Sequence, residues 1–221
     1  MIDLKYKEDI SLLLKRRKLI CGVAINDADY STLLGYTEDG KQVRCPFYVK
    51  WKTMIARCYN ENVYALPVNA RYKDCFVADE WLKFMNFKRW MESQDWEGKQ
   101  IDKDILYPGN KVYGPDTCLL VPQHINNLII DQEDGKYGKG VKKNASGSYS
   151  YVMRINRKRV FKKVASKQEA LEGYRKSKYN ELVTEAKKLD DEKVKNALIN
   201  YAKYKYGPTQ TEVLGFPYGE N

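Results

Sequence analysis

Apolar positions along the chain change period several times, and each change marks an element. Over 49–59, Trp51, Met54, Ile55 and Cys58 recur at helical spacing, which predicts a helix with one buried face. A short extended piece at 75–77 leads to Asp79, a residue type that caps helices. Residues 80–91 then read as a second helix burying Trp81, Phe84, Met85, Phe87 and Trp90. Because these aromatics recur at helical spacing, they are read as core rather than as a platform for stacking bases. Upstream, 1–18 reads as a short basic helix with Ile10, Leu12, Leu13 and Leu14 near one side. Residues 19–48, broken by Gly, Asp and Asn, read as loop with short strands.

After residue 100 the pattern shortens. QIDKDIL (100–106) alternates, YPGNKVYGPDTC (107–118) is rich in turn residues, and LLV (119–121) is a second short strand. PQHINNLII (122–130) opens a helix with Pro122 near its first turn. The polar, glycine-containing run at 132–138 reads as a linker. Three strands follow at 140–143, 148–155 and 159–164, with turns at 144–147 and around 156–157. Ser166 through Glu169 form a capping box that starts a helix carrying Ala170, Leu171, Tyr174, Tyr179 and Leu182. A last helix near 192–204 places Val194, Ala197, Leu198 and Tyr201 on one face. The expected organisation is an N-terminal segment (1–44), a first domain (45–131), the linker (132–138), a second domain (139–205) and a tail (206–221). Segregated strands and helices make the fold class α+β.

In a strand, alternate side chains face opposite sides. Tyr149, Tyr151, Met153 and Ile155 are expected to face the helix, and Ser148, Ser150, Val152 and Arg154 to face outward. Lys142, Lys143, Arg157, Arg159 and Lys162 surround that outward face. Lys162 has the opposite parity to Arg159 and joins it only if a bulge intervenes. A sheet with one apolar face on a helix and one basic, small-polar face suits the major groove of duplex DNA, where Arg pairs with guanine edges. The DNA-binding candidates are therefore Lys142, Lys143, Ser150, Arg154, Arg157, Arg159 and Lys162.

Charge sharpens that expectation. The chain of 221 residues carries a formal net charge of +10, and residues 135–188 hold sixteen Lys and Arg against four Asp and Glu. That block exceeds the net charge of the whole chain, the electrostatic footprint of a polyanion partner. The basic surface and the 18 tyrosines also leave RNA binding or protein inhibition open. A 43% apolar share argues against wholesale disorder. No run approaches the roughly 18–20 apolar residues of a membrane span, and the charged N-terminus does not read as a signal peptide. No membrane association is expected, and a cytoplasmic location is, in the host cell if the chain is phage-encoded. Five cysteines with no close CxxC pair read as buried free thiols rather than disulfides, with a zinc site from four of them as the alternative.

Two resemblances follow from these residues. Gly140-Val141, Ser146 through Tyr149, Asn156-Arg157-Lys158 and Ser166 through Tyr174 resemble the Apetala-type DNA-binding domain of plant ethylene-response factors and its phage relatives. The third strand departs from that family: Val160-Phe161-Lys162-Lys163-Val164 stands where an apolar-Leu-Gly-aromatic run is usual. The run from Gln100 to Asn127 is similar to the ββα-metal element of phage HNH homing endonucleases. Trp51 through Asn60, Asp74-Cys75 and Glu80-Trp81 match a pattern common in those proteins.

The second resemblance implies a small HNH-like nuclease domain ahead of the sheet domain, acting on double-stranded DNA with Mg²⁺ (or Mn²⁺) and no small-molecule cofactor. It places Asp102 as a metal-binding acid, Asn126 as the helix metal ligand, Thr117 where a loop-bracing Asn is usual, and Lys103 where the family has its general-base His. Lysine is normally protonated near neutral pH, so this departure touches the chemistry directly. Asp104 is either a further metal ligand or a loop-capping acid. His124, the single histidine, is either a surface or DNA-backbone contact or a relocated base. The expected function is a metal-dependent DNA endonuclease; the alternative is an inactive, DNA-binding regulator derived from one.

Overall fold

The computed structural model describes residues 18–130, 135–155 and 158–208. The helix expected over 1–18, Arg157 and most of the tail lie outside the described residues. The architecture is α+β, with six α-helices and four small sheets among the described residues. The chain divides into two compact units: Met1–Lys103 with Gly109–Leu120, and Asp104–Pro108 with Val121–Asn221. A boundary drawn at 131 from sequence therefore differs from the division seen, which assigns the helix after Pro122 to the second unit.

In the first unit, β1 (Leu33–Tyr36) and β2 (Gln42–Arg44) form an antiparallel hairpin. Helix α1 (Pro46–Tyr59) starts one turn before the residue 49 expected from periodicity. Proline suits a first turn, because its missing N–H would be unsatisfied there anyway. A short α2 (Glu61–Tyr64) and a 3-10 segment (Pro67–Tyr72) lead to β3 (Phe76–Val77). The single helix expected over 80–91 is interrupted. A 3-10 turn (Asp79–Leu82) and α3 (Phe84–Glu92) are separated by Lys83 in extended conformation. The break is tertiary in origin: Ile25 donates its N–H to the Leu82 carbonyl at 2.9 Å and accepts from the Phe84 N–H at 3.1 Å. Trp51, Ile55, Trp81, Phe84, Phe87 and Met91 are fully buried together, so the aromatics are core. Each such side chain contributes about 1.5–3 kcal/mol by leaving water. Strands β4 (Lys99–Asp102) and β5 (Val112–Tyr113) follow. β5 pairs in parallel with β3, and β4 pairs with β6 (Leu119–Pro122).

In the second unit, α4 (Gln123–Ile129) buries Ile125 and Ile129. The antiparallel sheet β7 (Val141–Lys143), β8 (Tyr149–Ile155), β9 (Lys158–Val164) follows in that order. The box of Ser166 and Glu169 caps the 20-residue α5 (Lys167–Ala186), and Asp191 caps α6 (Glu192–Tyr206). Val141, Tyr151 and Ala170 form the buried contact between sheet and α5, with Tyr149, Met153, Leu171 and Tyr174 around them. The contact is close enough to need glycine. A Cβ at Gly173 would lie 2.4 Å from the Tyr151 ring, and one at Gly140, whose φ is +68°, would lie 2.3 Å from the Tyr174 ring. On α6, Val194, Ala197, Leu198 and Tyr201 are buried, and the Tyr201 hydroxyl donates to the Ile129 carbonyl at 3.1 Å.

Candidate functional site

β4 ends on Asp102, 9% exposed, and the next residue, Lys103, is 5% exposed. A buried ammonium needs partners. Lys103 donates from Nζ to the Asn110 carbonyl, and its Nζ lies 5.9 Å from the centre of the Tyr113 ring. Asn110 returns the contact: its side-chain amide donates to the carbonyls of Lys103 (3.0 Å) and Val112 (2.7 Å), and its Oδ1 accepts from the Val112 N–H (2.9 Å). Thr117 hydrogen-bonds the same loop, donating to Val112 O at 2.9 Å and, more weakly, to Gly114 O at 3.4 Å. Asn110 is thus the principal side-chain brace of the loop, with Thr117 beside it. Sequence reading missed Asn110; its one local sign is the Pro108-Gly109-Asn110 turn.

Around Lys103 stand the Tyr113 ring, the Cys58 and Cys118 thiols and the carboxylate of Asp102. Burial pushes the Tyr113 phenol well above its usual range and the Cys58 and Cys118 thiols up to about 12. The positive charge of Lys103 opposes the shift in both thiols, and the negative charge of Asp102 adds to that of Cys118. All five cysteines are free, and the protonated thiols here are poor nucleophiles and poor ligands.

Asp102, Lys103 and Thr117 belong to the first unit, and Asp104, His124 and Asn126 to the second. Asp104 is half-buried. On α4, His124 is exposed and Asn126 half-buried. No group of three or more His, Cys, Asp and Glu side chains is gathered among the described residues; the set expected for magnesium contains two, Asp102 and Asp104, with the amide of Asn126. The donor chemistry fits a hard divalent cation, which takes carboxylate and amide oxygens and keeps several waters.

The sheet register assigns the basic residues to faces. Lys142, Ser150 and Lys163 form one cross-strand row, Val152 and Phe161 a second, and Arg154 and Arg159 a third, all on the face away from α5. No bulge interrupts β8–β9, so Lys162 pairs with Tyr151 and falls on the opposite face; Lys143, paired with Tyr149, does so too. Both stay exposed, but they leave the outer row. Ser150 is 5% exposed and exchanges hydrogen bonds with Asn144 at 2.9 and 3.2 Å, so its hydroxyl holds the β7–β8 turn rather than facing solvent. Two outer-face residues were absent from the sequence candidates. Lys163 is one. The other is Phe161, 52% exposed, with the Lys142 Nζ 4.0 Å above its ring. Arg154 reaches to Glu181 of α5 at 3.2 Å, whereas Arg159 and Lys163 make no hydrogen bond or ion pair among the described residues.

Comparison with protein families, with curated proteins and with solved structures finds no match to this chain. No helix among the described residues is long and apolar enough to cross a membrane.

Proposed function

We propose that the chain is a sequence-specific, divalent-metal-dependent DNA endonuclease of the homing type. The sheet holds duplex DNA, and the loop that begins at Asp102 belongs to the cutting site. The observation that carries the DNA-binding part is the outer face of the sheet. Lys142, Arg154, Arg159 and Lys163 surround an exposed Phe161 with no carboxylate among the residues of that face. Arg159 and Lys163, which make no hydrogen bond or ion pair among the described residues, suit phosphates and base edges, and an exposed aromatic suits an apolar contact such as a thymine methyl.

For the chemistry, the resemblance of Gln100 through Asn127 to the HNH element implies Asp102, Asp104 and Asn126 as the oxygen donors that would hold magnesium or manganese. When bound, such an ion would supply charge stabilisation to the scissile phosphate and the leaving oxygen. Asn110 and Thr117 fix the loop, and Lys103 supports it from within by its bond to the Asn110 carbonyl. That bond favours the second reading, a DNA-binding regulator without cleavage. An ammonium committed to a backbone carbonyl is a donor, not an acceptor for the proton of water.

The two readings separate in one assay. Phage genomic DNA is incubated with the protein and magnesium or manganese, comparing wild type with Asp102→Ala. A discrete product that disappears in the variant supports the nuclease. No product under any divalent metal, with sequence-specific gel shifts retained at moderate salt, overturns it in favour of the regulator.

A further inference from the structure

The second unit contains a cleft of about 1320 Å³ that the outer face of the sheet does not account for. It exceeds the roughly 300–1,000 Å³ of small-molecule sites, so its size suits a polymer. Its lining is contributed by α4, β8, β9, α5 and Lys188 just beyond α5. Lys176, Asn180 and Thr184 of α5 recur every four residues, which places them in one stripe along that helix. The stripe spans about 12 Å, three to four nucleotide steps of a duplex strand at about 3.4 Å each along the axis.

Charge gives the cleft a sign. Its two carboxylates are both neutralised by neighbours. Glu181 is bound by Arg154 and Lys178, and Glu185 by Lys188 at 2.5 Å. Arg159 and Lys176 line the same cleft and have no hydrogen bond or ion pair among the described residues. What remains is uncompensated positive charge beside hydroxyl and amide donors, a setting for phosphate oxygens. Arg159 also lies on the outer face of the sheet, so the two basic surfaces are continuous through one residue. His124 of α4 lines the same cleft.

We infer that this cleft carries the phosphodiester backbone of bound duplex DNA from Arg159, along Lys176, Asn180 and Thr184 of α5, to His124. The inference rests on the reading that the sheet binds DNA, and it adds a second contact surface to it. It gives His124 the role of a backbone contact, and it brings the DNA to the helix that bears Asn126.

The test is a titration of a labelled non-specific duplex about 30 base pairs long, roughly three helical turns, by fluorescence anisotropy over a salt series. Full-length wild type is compared with Lys176→Gln, Asn180→Glu, His124→Gln, Arg159→Gln and, as a control on α6, Lys195→Gln. Residues 124, 176 and 180 are exposed, so these variants leave the core intact. Lys176→Gln is expected to weaken binding about 3–10-fold and to lower the salt slope by about 1. Asn180→Glu weakens it further by placing a carboxylate on the track, His124→Gln weakens it less, and Lys195→Gln has no effect. Unchanged affinity and slope in the three cleft variants, with binding still weakened by Arg159→Gln, overturns the cleft and leaves the sheet standing. Absence of duplex binding by wild type at low salt overturns both.

Discussion

The indole N–H of Trp51 donates to the backbone carbonyl of Trp81 at 2.7 Å, and both residues are completely buried. This bond ties α1 to the 3-10 turn that precedes α3. The Trp81 indole N–H is buried without a partner. Removing a satisfied donor strands the carbonyl opposite it, whereas removing an orphaned donor relieves a cost. Trp51→Phe is therefore expected to destabilise the protein by about 1–3 kcal/mol more than Trp81→Phe, measured by urea unfolding. Equal losses would contradict the asymmetry.

Asn110 makes three side-chain hydrogen bonds to the loop backbone, where Thr117 makes one good one. Asn110→Ala is expected to cost about 2–4 kcal/mol and Thr117→Val about 1. The same order is expected for loss of any cleavage activity. A Thr117 effect larger than that of Asn110, in thermal unfolding, would reverse the roles assigned to them.

Gly173 sits inside α5, where alanine is ordinarily better by about 1 kcal/mol. Here a Cβ meets the Tyr151 ring at 2.4 Å, so Gly173→Ala is expected to destabilise by about 1–3 kcal/mol net. In a Tyr151→Ala background the clash is gone, and the same change becomes neutral or stabilising. A penalty that persists in that background would place its cause elsewhere.

The two faces of the sheet give a paired comparison in DNA binding. Arg159→Gln and Lys163→Gln, on the outer face, are each expected to weaken duplex binding and reduce the salt slope by about 1. Lys143→Gln and Lys162→Gln remove the same charge from the opposite face, with smaller effects. Identical losses across the four, by filter binding at fixed salt, would mean that net charge rather than face decides.

Alkaline pH should unfold the protein partly through its thiols. Cys58 and Cys118 rise from 9.0 to about 12, chiefly by burial, so the folded state keeps protons that the unfolded state releases. Their contribution is intact below about pH 9 and is lost as the pH rises toward 12, with a limiting slope of about 1.4 kcal/mol per pH unit for each thiol. Lys178, whose ammonium burial disfavours, works in the opposite sense. The thiol share is therefore read as a difference: Cys118→Ala should show a shallower decline than wild type between about pH 9 and 11 in urea unfolding.

Local patterns carried much of the fold. The α5 capping box, the three strands and the helical spacing of Trp51, Met54 and Ile55 are properties of neighbouring residues, and they appear where sequence placed them. What escaped depends on distant partners. Lys83 leaves the helix because Ile25, far upstream, takes its neighbours' hydrogen bonds. Ser150 has the parity of an outward-facing residue but is claimed by Asn144 across a turn. In the candidate site, Asn110 looked like one more turn residue, since only the folded loop shows which carbonyls it reaches. Phe161 was obscured because its strand departs from the pattern of the domain it resembles, although parity alone puts it beside Arg159 and Lys163.

The division of the chain has a consequence for inheritance. The chain leaves the first unit at Asp104, returns to it at Gly109 and leaves again after Leu120. No single cut in the gene releases either unit whole. A fragment ending at 103 lacks β5, the parallel partner of β3, and with it the Asn110 brace. Exchange of the basic sheet for another module therefore has two viable forms: a graft downstream of α4, or inheritance of both units together.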